Sequence, residues 1–383
     1  MSVNRLKHIP GFSIDTVAEA AGNDPEILRL ENLDTDILPP ENVLEATRKA
    51  IGRDQDNSYL PFVGQEALRE LIANQLNEKY ASDFSSRQVV LSCGATEAML
   101  NVLLATTDPG DEVVLTDPTY AGMIYRVKLA GAVPRLVPFE REENHWHLDL
   151  KALRLSIRNN TRALFIMNPS MPSGAVLSAE DWETIADLCR EHQLWLIYNA
   201  SMERLLFDGK AVIHPLMFEG MRDRTITLGS VSKEYRMIGW RLGWAVAPHP
   251  IIDDIARVGI YNAVTPTGIS QAGALEALKT PESDFVAYLS LLQERRDIVN
   301  EQLKGYDMLS AAGGWSQLLD VSSFGMEALE ASRLLLERGK VAATHMTHWG
   351  EKNSQQFIRL VFSNEPVGRL KTLRERFDRT FKQ

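Results

Sequence analysis

The run Ala-Leu-Phe-Ile-Met (163–167), the stretch AEDWETIADLCREH (179–192) and the run Leu-Trp-Leu-Ile-Tyr (194–198) decide the fold. Both short runs are apolar throughout, which suits strands covered on two faces, and a helical period of more than ten residues separates them. The same alternation continues outward. Upstream, the patterns predict helices at Glu41–Ile51 and Gly64–Tyr80, a strand at Gln88–Ser92, a helix at Glu97–Thr106 and a strand at Glu112–Leu115. A helix around Met123–Ala130 and a strand at Val133–Pro138 follow. Downstream, Thr225–Leu228 and Leu242–Val246 are short and apolar. Strands alternating with long helices predict an α/β fold, a mainly parallel sheet sandwiched by helices.

Past Pro281 the pattern changes. Glu282–Gly305 reads as one long helix, and two short strands, Ser316–Asp320 and Phe357–Phe362, flank a helix at Met326–Arg338. This C-terminal part is expected to form a smaller α+β lobe joined by the irregular first 45 residues. The expected division is therefore a large domain over 46–275 and a small domain made of 1–45 and 276–383.

The 383 residues are 44% hydrophobic and 24% charged, ordinary globular values that exclude disorder, collagen and coiled coil as descriptions of the whole. The formal charge is -10 and the 41 Lys and Arg are dispersed, so nucleic acid and anionic membrane are poor partners. Only Cys93 and Cys189 occur, which argues against a disulfide framework and for a reducing compartment. The first ten residues lack an apolar core, and no segment approaches the roughly 18 apolar residues of a membrane span. A cytoplasmic location is expected.

Chemistry concentrates in three clusters. In Leu228-Gly229-Ser230-Val231-Ser232-Lys233, followed by Gly239-Trp240-Arg241-Leu242-Gly243, a lysine just past a strand stands between small hydroxyl residues and an arginine. That set suits a phosphorylated aldehyde, its carbonyl taken by the amine and its phosphate by hydroxyls and guanidinium. The turn Ser92-Cys93-Gly94-Ala95-Thr96-Glu97-Ala98 can present free N–H groups to an anion at a helix start, or can be a plain N-cap by Thr96. Asn168-Pro169-Ser170-Met171-Pro172-Ser173-Gly174 and Asn199 end two buried strands, where ligands of open α/β sheets gather.

Taken in order with Tyr59…Gly64, Leu68-Arg69, Asp117-Pro118-Thr119-Tyr120 and Phe357-Ile358-Arg359-Leu360, these motifs resemble the class I/II aminotransferases from about Leu30 to Arg369. The resemblance implies a fold-type I enzyme with a sheet of the seven-stranded type and pyridoxal 5'-phosphate as cofactor. The implied activity is transfer of an amino group between an L-α-amino acid and a 2-oxo acid through a lysine Schiff base. It implies that Lys233 is that lysine and the proton shuttle at the substrate α-carbon. Gly94, Ala95, Thr96, Ser230 and Arg241 would then form the phosphate cup, Tyr120 would stack on the pyridine ring and Arg359 would clamp the α-carboxylate. Tyr59 would reach the phosphate of the partner subunit in a homodimer.

Three positions depart from the family, all expected at the cofactor ring. Asn199 replaces the aspartate that faces the pyridine nitrogen, while Met171 and Met202 replace an Asn and a Tyr that donate to the 3'-oxygen. A neutral amide favours an unprotonated or weakly protonated ring, and thioethers cannot donate. A weaker electron sink keeps elimination, replacement, racemisation or cyclisation in play beside transamination. A non-catalytic cofactor-binding role is a third reading, against which the retained Arg359 speaks. Leu33 stands where the family has glycine, so either its side chain narrows the substrate entrance or the segment shifts to make room. Trp315, Trp349, Arg126 and His348 are further pocket candidates.

Overall fold

A computed structural model describes residue 3 and residues 6–142, 145–351 and 354–382. Strands β1 (Leu28–Arg29), β2 (Val89–Ser92), β3 (Glu112–Asp117), β4 (Val133–Glu142), β5 (His145–Leu148), β6 (Thr161–Met167) and β7 (Trp195–Asn199) come first. They are followed by β8 (Thr225–Ser230), β9 (Gly243–Val246), β10 (Ser316–Asp320), β11 (Val341–Ala342), β12 (Thr344–His345) and β13 (Phe357–Val361). One sheet takes the order β2-β9-β8-β7-β6-β3-β4-β5. Its centre, β8, β7, β6, β3 and β4, is parallel, whereas β9 runs antiparallel between β2 and β8.

The sheet carries eight strands, one beyond the seven expected, because β5 folds back on β4 as an antiparallel edge. Its four residues, His-Trp-His-Leu, bury Trp146 and Leu148 and leave the histidines outside, a period too short to stand out in the sequence. The central strands are apolar because both faces are covered. In β6, Leu164 and Ile166 join one core cluster while Ala163 and Phe165 join another, and in β7 Leu196 and Tyr198 alternate with Ile197 in the same way.

The helix Ala179–Glu191 between β6 and β7 starts with a capping box: Ser178 Oγ accepts from Asp181 N at 3.1 Å and Asp181 Oδ2 accepts from Ser178 N at 2.8 Å. From β3 the chain winds one way to β4 and then the other way through β6, β7 and β8. That reversal opens a crevice at the carboxyl ends of β3, β6, β7 and β8.

A second, three-stranded sheet of order β10-β13-β12 packs with the long helix Glu282–Gln302, and β1 pairs in parallel with β11. The N-terminal segment is more regular than its sequence reads. It contains the helix Ser13–Ala21, which packs Val17 and Ala21 with Ile27 and Ala342. This nine-residue helix begins at Phe12 with no side-chain cap, so it lacks the usual start signal.

Candidate active site

The crevice holds a cavity of about 320 Å³. Tyr120 follows β3, Met167 ends β6, Met171 lies in the next turn, Asn199 ends β7 and Ser230 ends β8; all line it. Ala95, Thr96, Ser201, Ser232, Lys233, Ile238 and Arg241 add the large-sheet side, and Phe12, Ile14, Asp15, Asn32, Leu33, Trp349 and Arg359 the other.

Around Gly94 the geometry suits an anion. The helix Ala95–Thr106 is capped by Gly94, with Thr96 inside the first turn, so the plain N-cap by Thr96 is not what forms. First-turn N–H groups of a helix have no intrahelical acceptor and carry the positive end of its dipole. Glu97 turns back to accept from Cys93 N at 2.5 Å, leaving the helix start open. Arg241 adopts the left-handed conformation (φ 50°) and lies against Gly94. A Cβ on Gly94 would come within 2.5 Å of its Nη2, and one on Gly243 within 2.3 Å of Ala95 N. Only glycine permits these approaches. Arg241 Nη1 donates to Ser232 Oγ at 3.3 Å and to Ile238 O at 2.9 Å.

Lys233 Nζ stands in the middle, donating to Leu33 O at 2.9 Å and lying 4.4 Å from the Trp315 ring centroid. Burial lowers its pKa to about 7, Asp34 opposes that shift, and the Arg359 and Arg241 charges add to it. A lysine so tuned is about half free amine near neutrality, where an ordinary lysine is almost wholly protonated, and hence a better nucleophile.

Arg359 gives the cavity a second place suited to an anion. Arg359 on β13 is fully buried, donates Nη2 to Glu31 O, and lies 4.8 Å from the Trp349 ring. Its Nε and Nη1 have no partner, and burial lowers its pKa to about 9. A buried guanidinium with two unpaired donors costs stability unless a ligand supplies the acceptors.

Not every expected residue comes to the cavity. Tyr59 is 82% exposed and off its wall. Met202 is buried in the core near Gly314 and, unlike Met171, does not line the cavity. Leu33 does reach the wall. Trp349 lines the cavity. Arg126 braces its edge, donating to Thr96 O at 3.1 Å and Gly122 O at 2.6 Å, and His348 belongs to a neighbouring cavity of about 210 Å³. Sequence reading overlooked Phe12, Ile14, Asp15 and Ser201. The first three sit on the helix without a start signal, and Ser201 is a small residue two places past a strand.

Pyridoxal 5'-phosphate fits what is present: a helix start and an arginine brought together by two glycines, the Lys233 amine in the same cavity, and the unpaired Ser201 Oγ just past β7. This donor set and a doubly wound sheet define a pyridoxal-phosphate enzyme of fold type I. The chain belongs to the family described as aminotransferase class I and II, whose model matches residues 28–377. These enzymes use pyridoxal 5'-phosphate to move an amino group between an L-α-amino acid and a 2-oxo acid. Among its relatives is the arginine–pyruvate transaminase of Pseudomonas aeruginosa, 31% identical over 89% of this chain and 87% of that protein. A probable aspartate/prephenate aminotransferase of Aquifex aeolicus is 29% identical over 94% of this chain and 93% of that protein. The solved structure of N-succinyldiaminopimelate aminotransferase from Mycobacterium tuberculosis superposes with a TM-score of 0.93, at 28% identity, covering 98% of this chain and 99% of that one.

Proposed function

We propose that Lys233 carries the cofactor and moves the proton at the substrate α-carbon. Gly94, Ala95, Thr96, Ser230 and Arg241 would hold the phosphate, Tyr120 would pack on the ring and Arg359 would bind the substrate α-carboxylate. The cofactor supplies an electron sink for the carbanion left at that carbon. The observation that carries the reading is the placement of a neutral-leaning Lys233 amine in one cavity between two separate anion sites, one unpaired and buried. Arg359 orients the amino acid by its carboxylate, and Lys233, once released from the cofactor, stands within that cavity to take the α-proton.

The remaining wall, Phe12, Ile14, Leu33, Met99, Met167, Met171, Ile238 and Trp349, is apolar apart from Asn32, and Asp15 is the one carboxylate among the residues lining the cavity. This favours an amino acid with an uncharged, apolar side chain over a dicarboxylic one. We further propose a homodimer in which Tyr59 crosses to the partner's phosphate site, supported by the exposure of Tyr59, Phe62 and Tyr261 on this chain. The large lobe would span 46–275 and the small lobe 1–45 with 276–383. No helix among the described residues is long and apolar enough to cross a membrane, which agrees with a cytoplasmic enzyme.

The test is a single-turnover screen of amino donors with the loaded protein and no acceptor. One equivalent of 2-oxo acid per site, without ammonia, supports transamination. Ammonia release or racemised donor in its place would move the assignment to elimination or racemisation.

A further inference from the structure

We propose that Asn199 acts as a hydrogen-bond donor to the cofactor and so holds the ring nitrogen unprotonated, its amide oriented by the backbone N–H of Ser201. The inference rests on the reading of the cavity as the pyridoxal-phosphate site and concerns how this chain tunes that site.

Asn199 ends β7, is buried, and lines the cavity. An amide side chain can face a ring nitrogen in two ways: its oxygen accepts from a protonated pyridine, or its nitrogen donates to a neutral one. The two atoms look alike in shape, so the choice is made by the other contacts. Here Ser201 N lies 3.1 Å from Asn199 Oδ1. A backbone N–H only donates, so the atom it meets must be the oxygen; turning the amide over would set N–H against N–H and lose the bond. With the orientation so fixed, Oδ1 has a good partner, and Nδ2 is the end that lacks one. Its protein neighbour is the Met167 thioether at 3.8 Å, a weak acceptor that does not satisfy a buried amide. A pyridine lone pair is the acceptor that completes it.

The charges around the cavity agree. Asp15, the one carboxylate lining it, is on the N-terminal helix and not at the end of β7, whereas Arg241 and Arg359 are cations and Lys233 is one whenever it is protonated. No carboxylate among the residues lining the cavity stands beside Asn199 to stabilise a pyridinium by charge. Ser201 contributes a second group: its Oγ is buried on the same wall with no partner, so this turn offers the cofactor a hydroxyl as well as an amide. Met171, on the opposite turn, offers neither.

The test uses the holoprotein loaded with pyridoxal 5'-phosphate labelled with ¹⁵N in the ring. The expected result is the chemical shift of a neutral pyridine nitrogen, and a move to the protonated position in Asn199→Asp. As a second measurement, an N-methylated cofactor, which is a fixed cation with no lone pair, should bind the native protein about tenfold or more weakly than the ordinary cofactor, because Nδ2 loses its acceptor. A protonated ring signal in the native holoprotein, or equal affinity for the methylated cofactor, would overturn the proposal. Failure of the site reading looks different: label bound with no borohydride-stable adduct at Lys233, or no label bound at all.

Discussion

Arg359 and the neighbouring pair Arg295 and Arg296 are all buried, yet they are treated in opposite ways. On the helix Glu282–Gln302, Arg295 donates to both oxygens of Asp36, at 2.7 and 3.1 Å, and to Ser363 O at 2.6 Å. Arg296 grips Asp208 with two nitrogens, at 2.9 and 2.7 Å, and also reaches Ala311 O. Arg359 has Glu31 O and an aromatic face, and two of its donor nitrogens point at no acceptor. Where a buried cation serves the fold, the chain supplies its counter-charge. Arg359 has no carboxylate in hydrogen-bond contact, and on the proposed reading the substrate's carboxylate supplies it.

The largest effect is expected at Lys233, the amine in the same cavity. Lys233→Ala should lower turnover by at least about 10³-fold, within the scale of losing a positioned acid-base group, and should remove any borohydride-stable adduct. The depressed pKa adds a pH signature. Between its folded value of about 7 and the ordinary 10.5, the unfolded chain binds more protons at this site than the folded one. Stability of the apo protein should therefore rise with pH across that window, and Lys233→Met should flatten the rise in denaturant titrations at several pH values. Loading of the apo protein with cofactor should level off just above pH 7, where an ordinary lysine would still be gaining reactivity near 10. A plateau at the higher value would show that the amine is not desolvated.

Arg359→Met separates the two costs of an unpaired charge. Removing the carboxylate ligand should lower kcat/KM for amino acids by about 2–5 kcal/mol in transition-state terms, roughly 30- to 5,000-fold. The same change should raise the melting temperature of the apo protein, since an apolar side chain of similar length replaces a buried cation with open donors. A fall in melting temperature would mean that Glu31 O and Trp349 already satisfy the guanidinium, and the contrast drawn above would be lost.

The paired region should behave in the reverse sense. Asp36→Asn removes the charge partner of Arg295 while leaving Ser363 O in place. With the carboxylate about a third exposed, the loss is discounted to about 1–2 kcal/mol of stability. Equilibrium unfolding should show the destabilisation, and KM for the amino donor should stay within about twofold of the native value, because additivity holds for sites without shared partners.

This difference explains what could be read without coordinates. Lys233 stands out in sequence by the small hydroxyl residues before it and the arginine eight places on, and Arg359 by the family resemblance, as a charge inside the apolar run 357–362. Strands β6 and β7 were legible because burial on both faces leaves no polar interruption. The orientation of the Asn199 amide was not, since it depends on a backbone N–H two residues away and on a sulfur from another strand. The resemblance implies Met202 beside the cofactor, whereas the structure buries it in the core, off the cavity wall. The N-terminal wall was invisible for a third reason: Phe12, Ile14 and Asp15 line the cavity from a helix whose start is uncapped, so neither periodicity nor turn chemistry marked it.

That wall carries the smallest effect. Asp15 is exposed at the cavity mouth and no residue on the wall pairs its charge there. An amino donor with a second carboxylate would meet this charge in a solvated setting, where the repulsion at about 4 Å is on the order of 1 kcal/mol and falls with salt. Asp15→Asn should therefore raise kcat/KM for glutamate or aspartate by about two- to fivefold relative to leucine or phenylalanine, with the preference for the apolar donors retained because the rest of the wall is unchanged. The increment should shrink as ionic strength rises from about 0.01 to 0.15 M. An equal change for both donor classes would mean that Asp15 shapes the cavity mouth without reading substrate charge, and the apolar preference would then rest on Phe12, Ile14, Leu33 and Trp349 alone.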